Sequence, residues 1–69
     1  MSKTEQKIVE ELCYHARHGK VDTVRIEAIH SLSNYLNNSK AVDELGYHAR
    51  HVKSDSIRVA ALRALGQRE

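Results

Sequence analysis

The sequence predicts an all-α fold: an α-solenoid fragment of four helices in two antiparallel hairpins. Three observations predict it. Residues 11–32 realign on residues 44–65 at an offset of 33, with 12 of 22 positions identical. A fixed period of that size marks stacked repeat units. The composition forms helices: no proline, only three glycines, and abundant Lys, Glu, Arg, Leu and Ala. The apolar residues recur at three- and four-residue steps, which puts them on one face of a helix.

The first helix starts at Ser2, because Ser2 with Glu5 three residues later has the form of a capping box. Ile8, Val9, Leu12, Cys13 and Ala16 form its apolar face, and Gly19 suits its end. The second helix is expected from about Thr23 to about Asn37, with Asp22 as its N-cap. Val24, Ala28, Ile29, Leu32, Tyr35 and Leu36 fall within an arc of about 140° on its wheel. The run Asn37, Asn38, Ser39 breaks that helix, and Ser39 is expected to cap the third. Helix three carries Ala41, Val42, Leu45, Ala49 and Val52 on its inner face. Asp55 is expected to cap helix four, which carries Ile57, Ala61, Leu62 and Leu65. Turns near 19–22 and 52–55 are short, so paired helices run antiparallel. The chain thus forms a single domain over 1–69, with unit one at about 2–37 and unit two at about 39–68.

The second helix of each unit carries an ordered motif. Unit one reads Asp22-x-Val24-Arg25-x-x-Ala28-x-x-x-Leu32, and unit two reads Asp55-x-Ile57-Arg58-x-x-Ala61-x-x-x-Leu65-Gly66. This resembles the HEAT-like repeats of the phycobilisome-lyase type and extends over nearly the whole chain. Unit one departs from the pattern at Ser31 and Ser33, where unit two has Ala64 and Gly66. Each Asp can cap its own helix while each Arg reaches the carboxylate or loop carbonyls of a neighbour, and the resemblance implies a ladder of Asp–Arg contacts between stacked units, made by Asp22, Arg25, Asp55 and Arg58. An exposed ion pair at a helix start, worth little, is the plainer reading. The resemblance also implies that the second helices line a concave face.

Ile26 and Val59 point about 60° outside the main apolar arc of their helices, with His30 and Arg63 one turn further on the same side. These four are expected to make a protein-binding surface. Packing within the stack is the alternative for the two apolar side chains.

Composition narrows the function. Eleven Lys and Arg against nine Asp and Glu give a charge of +2, and there is no Phe or Trp. Nucleic-acid binders usually carry a stronger basic stripe, and stacking platforms need aromatics. A nucleic-acid accessory role would draw on Arg17, Lys20, Arg50 and Lys53. Those residues equally suit the C-terminal ends of helices, where cations meet the dipole. Each unit repeats Tyr-His-Ala-Arg-His, with Glu11 four before His15 and Glu44 four before His48. Such a Glu-x-x-x-His-x-x-His strip offers metal ligands. Duplication explains its recurrence, and histidines near a helix end suit the dipole, so no metal and no cofactor are expected. HEAT-like deoxyhypusine hydroxylases hold iron through His-Glu pairs, and this chain has none. No nucleophile–base set or phosphate loop stands out, so an enzyme is not expected.

Cys13 is the only cysteine. It replaces Gly46 of unit two and looks like a small packing residue. An internal disulfide is impossible, which suits a reduced, cytoplasmic setting. No apolar run reaches the roughly 18 residues of a membrane span, and none follows the N-terminus as a signal peptide would. A solenoid normally draws on about three units, and this chain has two. Its edge surface is therefore expected to be covered by another copy, as a homodimer, or by a larger helical protein. The expected function is that of a non-enzymatic adaptor or regulator occupying a partner protein's surface.

Overall fold

The computed structural model describes residues 2–67, and the ends of the expected domain at 1, 68 and 69, with the last residue of unit two, lie outside them. The chain is all-helical, with no strand among the described residues. Four α-helices pack together: α1 (Lys3–His18), α2 (Asp22–Leu32), α3 (Ser39–His51) and α4 (Asp55–Leu65). A short 3₁₀ turn, Ser33–Tyr35, follows α2. The main packing partners are α1 with α2, α3 with α4, and α2 with α4.

The start of α1 is set locally. Ser2 is its N-cap, and the Ser2 hydroxyl accepts a hydrogen bond from the Glu5 N–H at 3.0 Å. Its end at Gly19 has a different cause from the left-handed cap usual for glycine, since φ is −56°. A Cβ there would lie 2.8 Å from the His15 carbonyl oxygen and 3.0 Å from side-chain carbons of Arg25 and Val24. Glycine lets the start of α2 come against the end of α1.

The other caps sit one residue earlier than expected. Val21, not Asp22, is the N-cap of α2, and it makes no side-chain cap bond. Asp22 is the first helical residue, where its charge still suits the helix dipole. Asn38, not Ser39, caps α3; its side-chain oxygen accepts from the Lys40 and Ala41 N–H groups at 2.9 and 3.2 Å. Ser54, not Asp55, caps α4, with its hydroxyl accepting from the Ile57 N–H. In both of these pairs the earlier residue is itself a strong cap former, so it takes the role.

Helix α2 also ends earlier than the expected Asn37. The Ser33 hydroxyl donates to the His30 carbonyl, and the backbone tightens into the 3₁₀ turn. Hydroxyl competition for a backbone carbonyl is a general way to end or bend a helix.

The core draws on all four α-helices. Val9, Ala16, Ile29, Leu32, Leu45 and Ile57 are among its fully or nearly fully buried members. Ala28, Ala41, Ala60, Ala61 and Ala64 are buried too, and these small side chains let the helices approach closely. Three residues of the expected apolar faces lie outside, Ile8 at 40% exposure among them. Val24 is 43% exposed and Leu62 is 58% exposed. Among the described residues no helix is long and apolar enough to cross a membrane.

Candidate functional site

The repeated arginines make the same bond twice. Arg25 Nε donates to the Ala16 carbonyl at 2.8 Å, and Arg58 Nε donates to the Ala49 carbonyl at 3.2 Å. Each arginine therefore ties the start of one helix to the end of the helix before it. The carboxylates act elsewhere. Asp22 accepts from the Ser54 hydroxyl at 3.1 Å, which links the starts of α2 and α4. No Asp–Arg ion pair joins these four residues, so the contacts run through carbonyls and a serine.

The two Tyr-His-Ala-Arg-His strips have the same local geometry and different surroundings. Tyr14 packs on His15 and His18, and Tyr47 packs on His48 and His51, with ring centroids 5.0–5.4 Å apart. His15 is half-buried and meets Glu11 at 3.0 Å. His48 has no exposed surface. Its Nδ1 meets the Glu44 carbonyl at 2.9 Å and its Nε2 meets the Ala16 carbonyl at 3.0 Å. Both partners are carbonyl oxygens, which only accept, so a hydrogen bond to either is donated by a ring N–H.

Glu44 completes that cluster. Arg17 grips it bidentately, Nε to Oε2 at 3.1 Å and Nη2 to Oε1 at 3.0 Å. The same guanidinium lies 4.2 Å from the centre of the Tyr47 ring. Its bond to the Glu44 carboxylate pushes the Arg17 pKa further up. The second carboxylate oxygen lies 3.5 Å from His48 Nδ1. A charge with only a tenth of its side chain exposed is thus matched on two sides. The spacing Glu-x-x-x-His alone does not reveal this role, because Glu11 and His15 share it and stay outside.

These contacts also bear on the metal and nucleic-acid readings. Among the described residues no group of three or more His, Cys, Asp or Glu is placed to hold a metal ion. Of the four repeated cations, Arg17 is committed to Glu44 and Tyr47. Cys13 is a free, buried thiol, and burial followed by the nearby Glu44 charge pushes its pKa up. That disfavours the thiolate, the form a nucleophile needs.

Ile26, His30, Val59 and Arg63 come together. They line one open depression of about 440 Å³ between α2 and α4, with Ser56 and Ala60 completing it. Ile26 is half-buried and packs against the core, while Val59 is 45% exposed. His30 and Arg63 are exposed at its margin. Asp55 also borders it, a residue that the sequence assigned to the helix start and the Asp–Arg ladder but not to this surface.

Compared with known proteins, the chain matches no family model, no curated protein and no solved structure.

Proposed function

We propose that the two sequence units are antiparallel helical hairpins of the HEAT-like kind laid side by side. On this reading the chain is a non-enzymatic protein-interaction module, a small adaptor or regulator. Its partner-facing surface consists of Ile26, His30, Val59 and Arg63.

One observation carries the reading. Two equivalent residues from each unit border a single depression, with apolar Ile26, Val59 and Ala60 beside charged Asp55 and Arg63. An apolar centre with a polar rim is the general anatomy of a protein contact. The depression is open, which suits a partner's helix or loop better than a substrate shielded from water. A nucleic-acid role has less behind it, because Arg17 is engaged within the fold.

The test compares the wild type with a Val59→Asp/Arg63→Glu variant whose melting temperature matches it. Both are used as bait in extract of the native cell. A partner retained by the wild type and lost from the variant supports the surface. The same captured set on both baits overturns it. Binding of labelled duplex or single-stranded DNA that weakens steeply with salt would favour the nucleic-acid role instead.

A further inference from the structure

The two units are near-copies, yet they bury opposite sets of residues. Val9, Ala16, Ile29 and Leu32 of unit one are buried. Their equivalents Val42, Ala49 and Leu65 are half-buried, and Leu62 is 58% exposed. The opposite face shows the reverse. Ala41, Leu45, His48 and Ile57 of unit two are fully buried, while their equivalents Ile8 and Val24 are 40% and 43% exposed. Leu12 and His15 complete that set and are half-buried.

Both buried sets belong to one core. The polar contacts between units come from the same faces: Arg17 to Glu44, and His48 to the Ala16 carbonyl. Each unit therefore has two unlike faces. One of each is covered by the other unit, and one of each is left partly exposed among the described residues. The open pair corresponds, position for position, to the covered pair.

We propose that the open face of unit two docks onto the open face of unit one in a second copy of this chain, repeating the contacts that join the two units. This rests on the side-by-side reading of the units, and its central contacts are made by residues other than Ile26, His30, Val59 and Arg63. Arg50 stands where Arg17 does, and Glu11 where Glu44 does. Arg50 forks onto Glu11 of the next copy and lies over its Tyr14. His15 leaves Glu11, its partner within one chain, and donates to the Ala49 carbonyl of the neighbour.

The acceptor for that bond is available. A carbonyl oxygen has two lone pairs. The Ala16 carbonyl takes both the Arg25 and His48 side chains. The Ala49 carbonyl takes the Arg58 side chain, and no second side chain among the described residues donates to it.

Apolar surface matches as well. Leu62 and Leu65 of one copy cover Val24 and Leu12 of the next. Ile8 is larger than Ala41, its equivalent. Gly46 on the facing side is smaller than Cys13, and a Cβ on Gly46 would meet nothing within 4 Å. One contact does not recur: Val21 stands at the position of Ser54, so the bond to Asp22 has no counterpart at Asp55.

Docking of this kind is heterologous. Each copy offers a different face to each neighbour, so association continues past the dimer or closes as a ring. Charge reversal separates this arrangement from any other. Sedimentation of the 69-residue chain is followed up to millimolar concentration, with circular dichroism as a check on folding.

The wild type is expected to grow past the dimer. Arg50→Glu alone and Glu11→Arg alone are each expected to return it to monomer, weakening association ten-fold or more. The double variant Glu11→Arg/Arg50→Glu restores the opposite charges and is expected to recover assembly. All three variants alter exposed positions and are expected to keep wild-type helicity. A wild type that stays monomeric throughout would overturn the docking and leave the depression reading standing. Association that Arg50→Glu leaves unchanged would overturn it too.

Discussion

Ile29 and Leu62 occupy equivalent positions, carry nearly the same side chain and differ in burial. Ile29 is 0% exposed and Leu62 is 58% exposed. Ile29→Ala removes methyl and methylene groups from a fully buried core site and leaves a cavity. Buried Ile-to-Ala changes cost about 2–5 kcal/mol, and full burial places Ile29 near 3–4. Leu62→Ala removes a side chain of which less than half is covered. Full burial of a leucine contributes about 1.5–3 kcal/mol, so this change costs about 1 kcal/mol or less. The higher helix propensity of alanine offsets a few tenths of that.

The expected gap is therefore roughly 2–3 kcal/mol for the same chemical change at equivalent positions. A chain of this size has a total stability of roughly 3–10 kcal/mol, so Ile29→Ala takes a large share of it. Urea unfolding followed by circular dichroism at low micromolar protein measures both variants in the monomer range. Ile29→Val, at about 1 kcal/mol, keeps the series measurable if the alanine variant does not fold. Equal losses at 29 and 62, or a larger loss at 62, would refute the assignment of covered and open faces.

The remaining predictions concern glycines, caps and the thiol. Gly19→Ala forces a Cβ against the His15 carbonyl and should cost about 1–3 kcal/mol; Gly46→Ala, inside α3 with open space around it, should stabilise by up to about 1 kcal/mol, and thermal melts of the pair show whether the signs differ. Asn38→Ala removes the cap of α3 from a position only 2% exposed and should cost about 1–2 kcal/mol, against a few tenths for Ser39→Ala; equal losses in chemical denaturation would return the cap to Ser39. Cys13 should react slowly with a thiol reagent in the folded chain and rapidly in denaturant. Because burial raises its folded pKa, its contribution to stability is fully present below the unfolded thiol range and declines as pH rises through that range towards the folded value. Urea midpoints from neutral to alkaline pH, compared with Cys13→Ala, measure that difference.

Much of the architecture was legible in the residues. The offset of 33, the missing proline and the three- and four-residue apolar steps announce four helices. Ser2 and Glu5 mark the first start correctly because a capping box is a local device. The starts of α3 and α4 are displaced by one residue for an equally local reason. Asn38 and Ser54 precede the residues chosen as caps and are cap formers themselves. Ile26, His30, Val59 and Arg63 were found together from their angle on the helix wheel, since α2 and α4 pack against each other. Asp55 at the edge of that depression was not found, because its place depends on where α4 lies rather than on its spacing in the motif.

The sequence by itself determined that the same helical pattern is written twice, since periodicity and capping act within a few residues. It also determined that Arg25 and Arg58 would behave alike, as they do on the Ala16 and Ala49 carbonyls. Only the tertiary structure decided which copy of each residue is covered. Glu11 and Glu44, His15 and His48, Ile29 and Leu62 have nearly the same local sequence. The buried member of each pair is the one with another helix against it. Burial is a property of neighbours brought from about 30 residues away, and a repeated local code is the same whether or not that neighbour is there.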